Sequence, residues 1–234
     1  MHLKFLVPSA LAAFVAVPIV DAAPTDVLDS LSPAIHTAIA SFNQIPDDRR
    51  LDLKKIALFV QSKQAAGESA QVTFICTANS RRSLLAQTWA QMAAAYYGVS
   101  NFKAFSGGIE VTACNERTVA ALKRAGLDVN PSATEASGTN PVYLVKFSKS
   151  VEPIRAFSKM YNAKGNPTEN YLAAMTCDHA DKNCPVVQGA SLRVPIHYVD
   201  PKVADGAPTE NAVYDERTAQ IAREMFYMMS LVHG

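Results

Sequence analysis

A β-forming run that ends in a cysteine, then a Cys-x5-Arg-Ser turn, then an amphipathic helix leaves a chain few ways to fold. Here it reads Val72-Thr-Phe-Ile-Cys76-Thr77-Ala78-Asn79-Ser80-Arg81-Arg82-Ser83. A loop this short between strand and helix aims its N–H groups inward, and the helix start adds partial positive charge. The result is a cradle for a tetrahedral oxyanion, floored by Thr77, Ala78, Asn79, Ser80 and Arg81. Arg82 is placed to grip two oxyanion oxygens, as a guanidinium does. Cys76 at the floor is the expected nucleophile, in a field that favours its thiolate. Asn79 is one of the few non-glycine types that tolerate a left-handed backbone. Ser83 is placed to donate a hydrogen bond to the sulfur. Leu85, Trp89, Met92 and Tyr96 repeat at helical spacing after it. The plain alternative is a buried strand cysteine followed by a solvated arginine pair.

The chain has 234 residues, enough for one sizeable domain with its own core. A net charge of +1 gives no sign of a nucleic-acid or polyanion partner. Four cysteines, Cys76, Cys114, Cys177 and Cys184, are too few for a disulfide scaffold at this size. Residues 1–22 read as a signal peptide: His2 and Lys4 precede the apolar Phe5–Val20, and Val20-Asp-Ala22 fits a small-residue cleavage site. A membrane anchor is the alternative, but the stretch is short and broken by Pro8 and Pro18. The expected location is the periplasm or outside the cell, with no membrane attachment after cleavage.

Residues 23–69 are expected to be an N-terminal helical extension. Thr25–Phe42 reads as one helix, and a second starts at Pro46-Asp47 with Leu53, Ile56 and Val60 on one face. Asn101–Gly108 reads as the second strand. Asn115 is the expected cap of a helix that Gly126 stops. Cys114, just before it, reads as structural. Within an insertion at about 130–169, Asn140–Phe147 reads as a strand and Pro153–Tyr161 as a helix. Tyr171–Cys177 is the next core strand, and Ser191–Val199 the last, pushed by Pro195 toward an edge. Tyr214–Val232 reads as a long helix. Alternating strands and helices argue an α/β fold: three layers, a four-stranded parallel sheet with helices on both faces. The site then lies at the carboxyl end of the first strand.

Cys76, Asn79, Arg82 and Ser83 match Cys-x-x-Asn-x-x-Arg-Ser, and on them residues 70–234 resemble the low-molecular-weight protein tyrosine phosphatase superfamily, which includes the thiol-coupled arsenate reductases. The resemblance implies the phosphotyrosine protein phosphatase I-like fold. It implies that Ser106, in the turn after the second strand, supports the loop asparagine, and that Asp200, before Pro201, is the general acid. The reductase branch carries Cys-x6-Cys-Pro after its third core strand, as Cys177, Cys184 and Pro185 do here. There a second thiol attacks the arseno-cysteine and a third resolves the disulfide. The resemblance points nearest to that branch.

Two activities therefore stand side by side. One is arsenate reduction by Cys76, Cys177 and Cys184, with an external dithiol or thioredoxin-like donor as partner. The other is phosphomonoester hydrolysis of protein tyrosine phosphatase type, with Cys177 and Cys184 a static bridge. A binding or redox-sensing protein that uses the cradle without turnover is a third reading. A metal site on Cys177, Cys184, His179 and Asp181 would have mixed, crowded ligands, so no metal and no bound cofactor is expected. Arg81 adds charge at the loop rim. Lys202-Val-Ala after Asp200-Pro201 lacks the tyrosines that stack on phosphotyrosine in eukaryote-like phosphatases.

Overall fold

The computed structural model describes residues 26–135, 138–184 and 186–233. The signal-peptide expectation, Thr25 and Pro185 lie outside them. In order come α1 (Ser32–Ala40), α2 (Asp47–Ala65), β1 (Ala70–Cys76), α3 (Arg82–Tyr96), β2 (Phe102–Gly108), α4 (Glu116–Arg124), β3 (Asp128–Pro131), β4 (Tyr143–Lys146), β5 (Ile154–Ala156), β6 (Tyr171–Met175), α5 (Asp178–Asn183), β7 (Ala190–Pro195) and α6 (Glu210–His233). No helix among the described residues is long and apolar enough to cross a membrane.

Four strands form one parallel sheet in the order β2-β1-β6-β7. Strand side chains alternate between faces. Val72, Phe74, Leu172, Ala174 and Val194 pack with α1, α2, α3 and α6 in the large core. Ile75, Ala173 and Met175 pack on the other face with Ala180 of α5. Both faces carry helix, as the sequence led us to expect, but among the described residues the second is covered by short α5 and by Val187, Ile109 and Tyr161 rather than by long helices. The chain leaves β1 for β2 on one side and returns to β6 on the other. The carboxyl end of β1 is thus the switch point where open α/β sheets place ligands.

The N-terminal helices are built into the core rather than appended to it. Leu31, Ile35, Leu53, Ile56 and Val60 share one cluster with Ile221 and Met225 of α6. Thr25–Phe42 is not one helix, however. A 3-10 turn at Asp29–Leu31 comes first, α1 begins at Ser32, and a second 3-10 turn holds Phe42–Gln44. Pro33 accounts for the start: lacking an N–H, it suits the first helical turn and no later position.

The insertion departs further from expectation. Pro153–Tyr161 is not helical. β5 pairs antiparallel with β4, and β4 with β3, in a separate three-stranded sheet. Ala156 is buried while Arg155 points out, a two-residue alternation that the helical expectation overlooked. Beyond β5 the chain passes under the Cys76 loop. There it approaches β2 so closely that a Cβ on Gly107 would lie 2.2 Å from the Tyr161 Cα. Gly107→Ala is therefore expected to destabilise the fold by about 2–3 kcal/mol, as overpacking against backbone does. A lowered urea midpoint at unchanged m-value checks this.

Candidate active site

The loop after β1 closes as its sequence requires. Asn79 is left-handed, with φ 45°. The carbonyl of Thr77 accepts from Ile109 and Glu110 N–H, that of Ala78 from the Ser158 hydroxyl, and that of Ser80 from Asn115 N–H. With these oxygens turned outward, the N–H groups of Ala78, Asn79, Ser80 and Arg81 donate to no acceptor among the described residues. They surround a pocket of about 200 Å³ lined by Cys76, Thr77, Ala78, Ser80, Arg81, Arg82, Glu110, Asp200 and Lys202. Cys76 is only 3 % exposed at its floor. The Ser83 hydroxyl lies 3.1 Å from the Cys76 sulfur and accepts from Asn79 Nδ2 at 2.8 Å. A donor to Ser83 leaves its own proton free for the sulfur.

Arg82 is held over this floor. Its Nη1 donates to the Tyr198 carbonyl at 3.3 Å, and its Nη2 lies 2.7 Å from Asp200 Oδ2. Its buried Nε has no partner among the described residues. Asp200 sits at the pocket mouth with its side chain 28 % exposed and its Oδ1 accepting from Lys202 N–H. Cys76, Arg82 and Asp200, singled out in the sequence, thus line one pocket.

Tyr198 is fixed from the N-terminal side. Its hydroxyl donates to Glu224 Oε2 at 2.8 Å, and Arg49 of α2 stands 5.2 Å over its ring and pairs with Glu224. Burial, with the Glu224 charge beside it, pushes the Tyr198 hydroxyl pKa well up. Burial also raises Glu224, opposed by Arg49. The extension helix thereby helps set the backbone oxygen that Arg82 grips, a role that nothing in the sequence of α2 announces.

Three side chains in or beside the loop take partners that the sequence does not announce, although Ser80 and Arg81 line the pocket as expected. The Arg81 side chain does not stand free at the rim. Its Nε donates to the Tyr214 hydroxyl at 2.8 Å and its Nη2 to Asp205 at 3.3 Å. The Ser80 hydroxyl turns away to the Ala113 carbonyl. Ser106 is buried, but it is not a partner of Asn79. The Asn79 Oδ1 accepts from Lys159 N–H, while the Ser106 hydroxyl faces Lys159 Nζ at 3.5 Å. Lys159, from the insertion, takes the place expected of Ser106. Burial pushes the Lys159 ammonium pKa down to about 8, helped by nearby Arg155.

The other cysteines occupy three environments. Cys114 is buried, and burial raises its thiol pKa to about 12, consistent with a structural role. Cys177 is fully buried in the same cluster as Cys76, with its sulfur 3.4 Å from Thr77 Oγ1. It also caps α5, accepting from Ala180 N–H. Cys184 sits at the other end of α5, half-buried, and all four thiols are free. Asp181, weighed above as a ligand, is paired with Arg193 and His197 instead. Among the described residues no group of three or more His, Cys, Asp or Glu is placed to hold a metal.

Known proteins resemble this chain in sequence over part of its length. The arsenate reductase 2 of Staphylococcus epidermidis is 25% identical over 116 residues, 50% of this chain and 66% of that protein. An arsenate reductase of Staphylococcus aureus is 27% identical over 114 residues, 49% of this chain and 65% of that protein. The match thus spans slightly less than two thirds of these relatives. Among solved structures, a low molecular weight protein tyrosine phosphatase from T. tengcongensis covers 69% of this chain and 99% of its own, at 16% identity and TM-score 0.42. A thioredoxin-dependent arsenate reductase of Corynebacterium glutamicum covers 86% and 96%, at 15% identity and TM-score 0.40. The model of the low molecular weight phosphotyrosine protein phosphatase family matches residues 71–193, just over half the chain and the part that holds the Cys76 loop and both α5 cysteines. On that match, the chain belongs to the low molecular weight phosphotyrosine protein phosphatase family.

Proposed function

We propose that this protein is a cysteine-nucleophile oxyanion enzyme that reduces arsenate through a three-thiol relay. The observation that carries the reading is Cys177, whose free sulfur is packed into the Cys76 cluster beside Thr77, with a second free thiol, Cys184, at the far end of the same short helix. Phosphoester hydrolysis calls on neither thiol in its chemical steps.

In this reading the loop N–H groups and Arg82 hold the arsenate oxygens, where fixed donors stabilise developing charge. The Cys76 thiolate attacks arsenic(V), and Asp200 protonates the oxygen that leaves as water. Cys177 then attacks the Cys76 sulfur. The S–As bonding pair passes to arsenic, which departs as arsenite, and a Cys76–Cys177 disulfide remains. Cys184 attacks Cys177 and frees Cys76 as a thiolate. An external dithiol reduces the Cys177–Cys184 disulfide. Export through residues 1–22 belongs to the same proposal, and the donor is then a dithiol of that compartment.

One observation favours a second reading, phosphomonoester hydrolysis. A groove of about 520 Å³ lined by Glu110, Thr112, Glu116, Pro141 and Tyr143 adjoins the pocket and shares Arg81 and Lys202 with it. Arsenate needs no such space, but an ester leaving group does. The assay pair separates the two. Cys177→Ser is expected to abolish dithiol-driven arsenate reduction and to leave p-nitrophenyl phosphate hydrolysis within about threefold, since it removes no group acting in the phosphoryl step. Arsenate turnover that survives Cys177→Ser sinks the relay.

A further inference from the structure

Resolution of the relay, on the reading above, requires a change in α5. Cys177 is the residue before this helix and Cys184 the residue after it. Seven helical steps of about 1.5 Å set their Cα atoms roughly 10 Å apart. A disulfide tolerates about 4.4–6.8 Å. The two sulfurs meet only if α5 unwinds.

A helix of 6 residues has little stability of its own. Its persistence must come from what grips it. Ala180 is buried against the sheet, and the Lys182–Asp178 pair is exposed and weak. The remaining grip comes from β7 and the residue stretch just beyond it. Arg193 Nη2 lies 2.5 Å from Asp181 Oδ1, and His197 Nε2 lies 3.0 Å from Asp181 Oδ2. Arg193 also donates to the carbonyls of Asp181 and Cys184. The Asp181 side chain is 19 % exposed, so solvent screens these pairs less than surface ones. One carboxylate in the middle of α5 is thus paired with one group from the edge strand, Arg193, and one from just beyond it, His197.

We propose that Asp181, Arg193 and His197 form a clamp that holds α5 wound and sets how fast Cys184 reaches Cys177. They are positioning residues: none lines the Cys76 pocket. The clamp keeps Cys177 buried beside Thr77 while the substrate is bound, and its opening admits the third thiol. The rate of closure then scales with the fraction of molecules in which α5 is unwound.

The test uses the full chain carrying Cys76→Ser, so that the relay cannot turn over. Diamide takes two electrons and two protons from the Cys177 and Cys184 thiols and becomes the hydrazine. Alkylation quenching and peptide mass mapping give the rate at which the Cys177–Cys184 bond forms. Cys114, buried and outside α5, reports global loosening in the same samples. Asp181→Asn is expected to accelerate closure on the order of tenfold, as loss of a partly buried pair implies, with Cys114 still protected. Arg193→Gln should accelerate it too, and Asp181→Glu should restore slow closure. Unchanged or slower closure in both Asp181→Asn and Arg193→Gln overturns the clamp, as does Cys114 labelling that rises in parallel. Failure of the relay itself shows elsewhere, in arsenate turnover by Cys177→Ser, so a failed clamp and a failed relay are told apart.

Discussion

Cys76→Ser is expected to eliminate arsenate reduction and p-nitrophenyl phosphate hydrolysis together, by about four orders of magnitude or more in kcat, as removal of an activated nucleophile does. The reason lies in the floor of the pocket. A hydroxyl replaces a thiol of similar size, but an alcohol beside Ser83 has no base to take its proton, whereas a thiol ionises without one. The cradle itself is left standing, because its shape depends on Asn79, the outward carbonyls and Lys159 N–H. Phosphate should therefore still bind the variant, as isothermal titration would show. Turnover of either substrate by Cys76→Ser would remove the chemistry proposed above. Loss of phosphate binding together with turnover would instead point to a collapsed loop.

The second large effect is expected at Arg82. Arg82→Lys keeps the charge but loses the planar fork, and with it the ability to hold the Tyr198 carbonyl, Asp200 and an oxyanion oxygen at once. A drop of about 10²–10³-fold in kcat/KM is expected for both substrates, the range for losing a donor aimed at developing negative charge. The measurement is steady-state kinetics with arsenate and with p-nitrophenyl phosphate. Arg82 and Asp200 are 2.7 Å apart, so lysine also leaves the carboxylate without its closest partner. Arg81→Lys offers a contrast. Its Nε donates to Tyr214 and its Nη2 to Asp205, so although it lines the pocket and stands 3.8 Å from Asp200, fewer of its donors are left for substrate, and its effect should be at least tenfold smaller than that of Arg82→Lys. Equal effects at the two positions would mean that both guanidiniums hold substrate.

The Cys76 loop was legible because the residues that mark it in the sequence are local, although distant groups hold its carbonyls and Asn79. The left-handed Asn79, the strand before it, the helix after it and the Ser83 contact with sulfur all lie within a few residues of one another. The same holds for the Asn115 cap, where the side chain accepts from Arg117 N–H at 3.0 Å, and for Gly126, at φ 103°. Periodicity separated the buried parallel strands from the long helices. It failed at Pro153–Tyr161, where a short run of apolar and basic residues fits either period and only pairing with β4 settles the matter.

What the sequence alone determined, then, is a set of short-range facts: the Cys-x5-Arg-Ser loop between a strand and a helix, the caps, and an α/β alternation. Tertiary structure decided the contacts between groups far apart in the chain. Lys159 rather than Ser106 supports Asn79, 80 residues away. Arg81 turns to Tyr214, 133 residues on, and Arg49 of α2 reaches the His197 carbonyl across 148. A side chain with several hydrogen-bonding options takes the partner that packing leaves within reach, and that reach exists only once the sheet has closed. For the same reason, only the fold shows that a helix, α5, stands between two free cysteines seven positions apart.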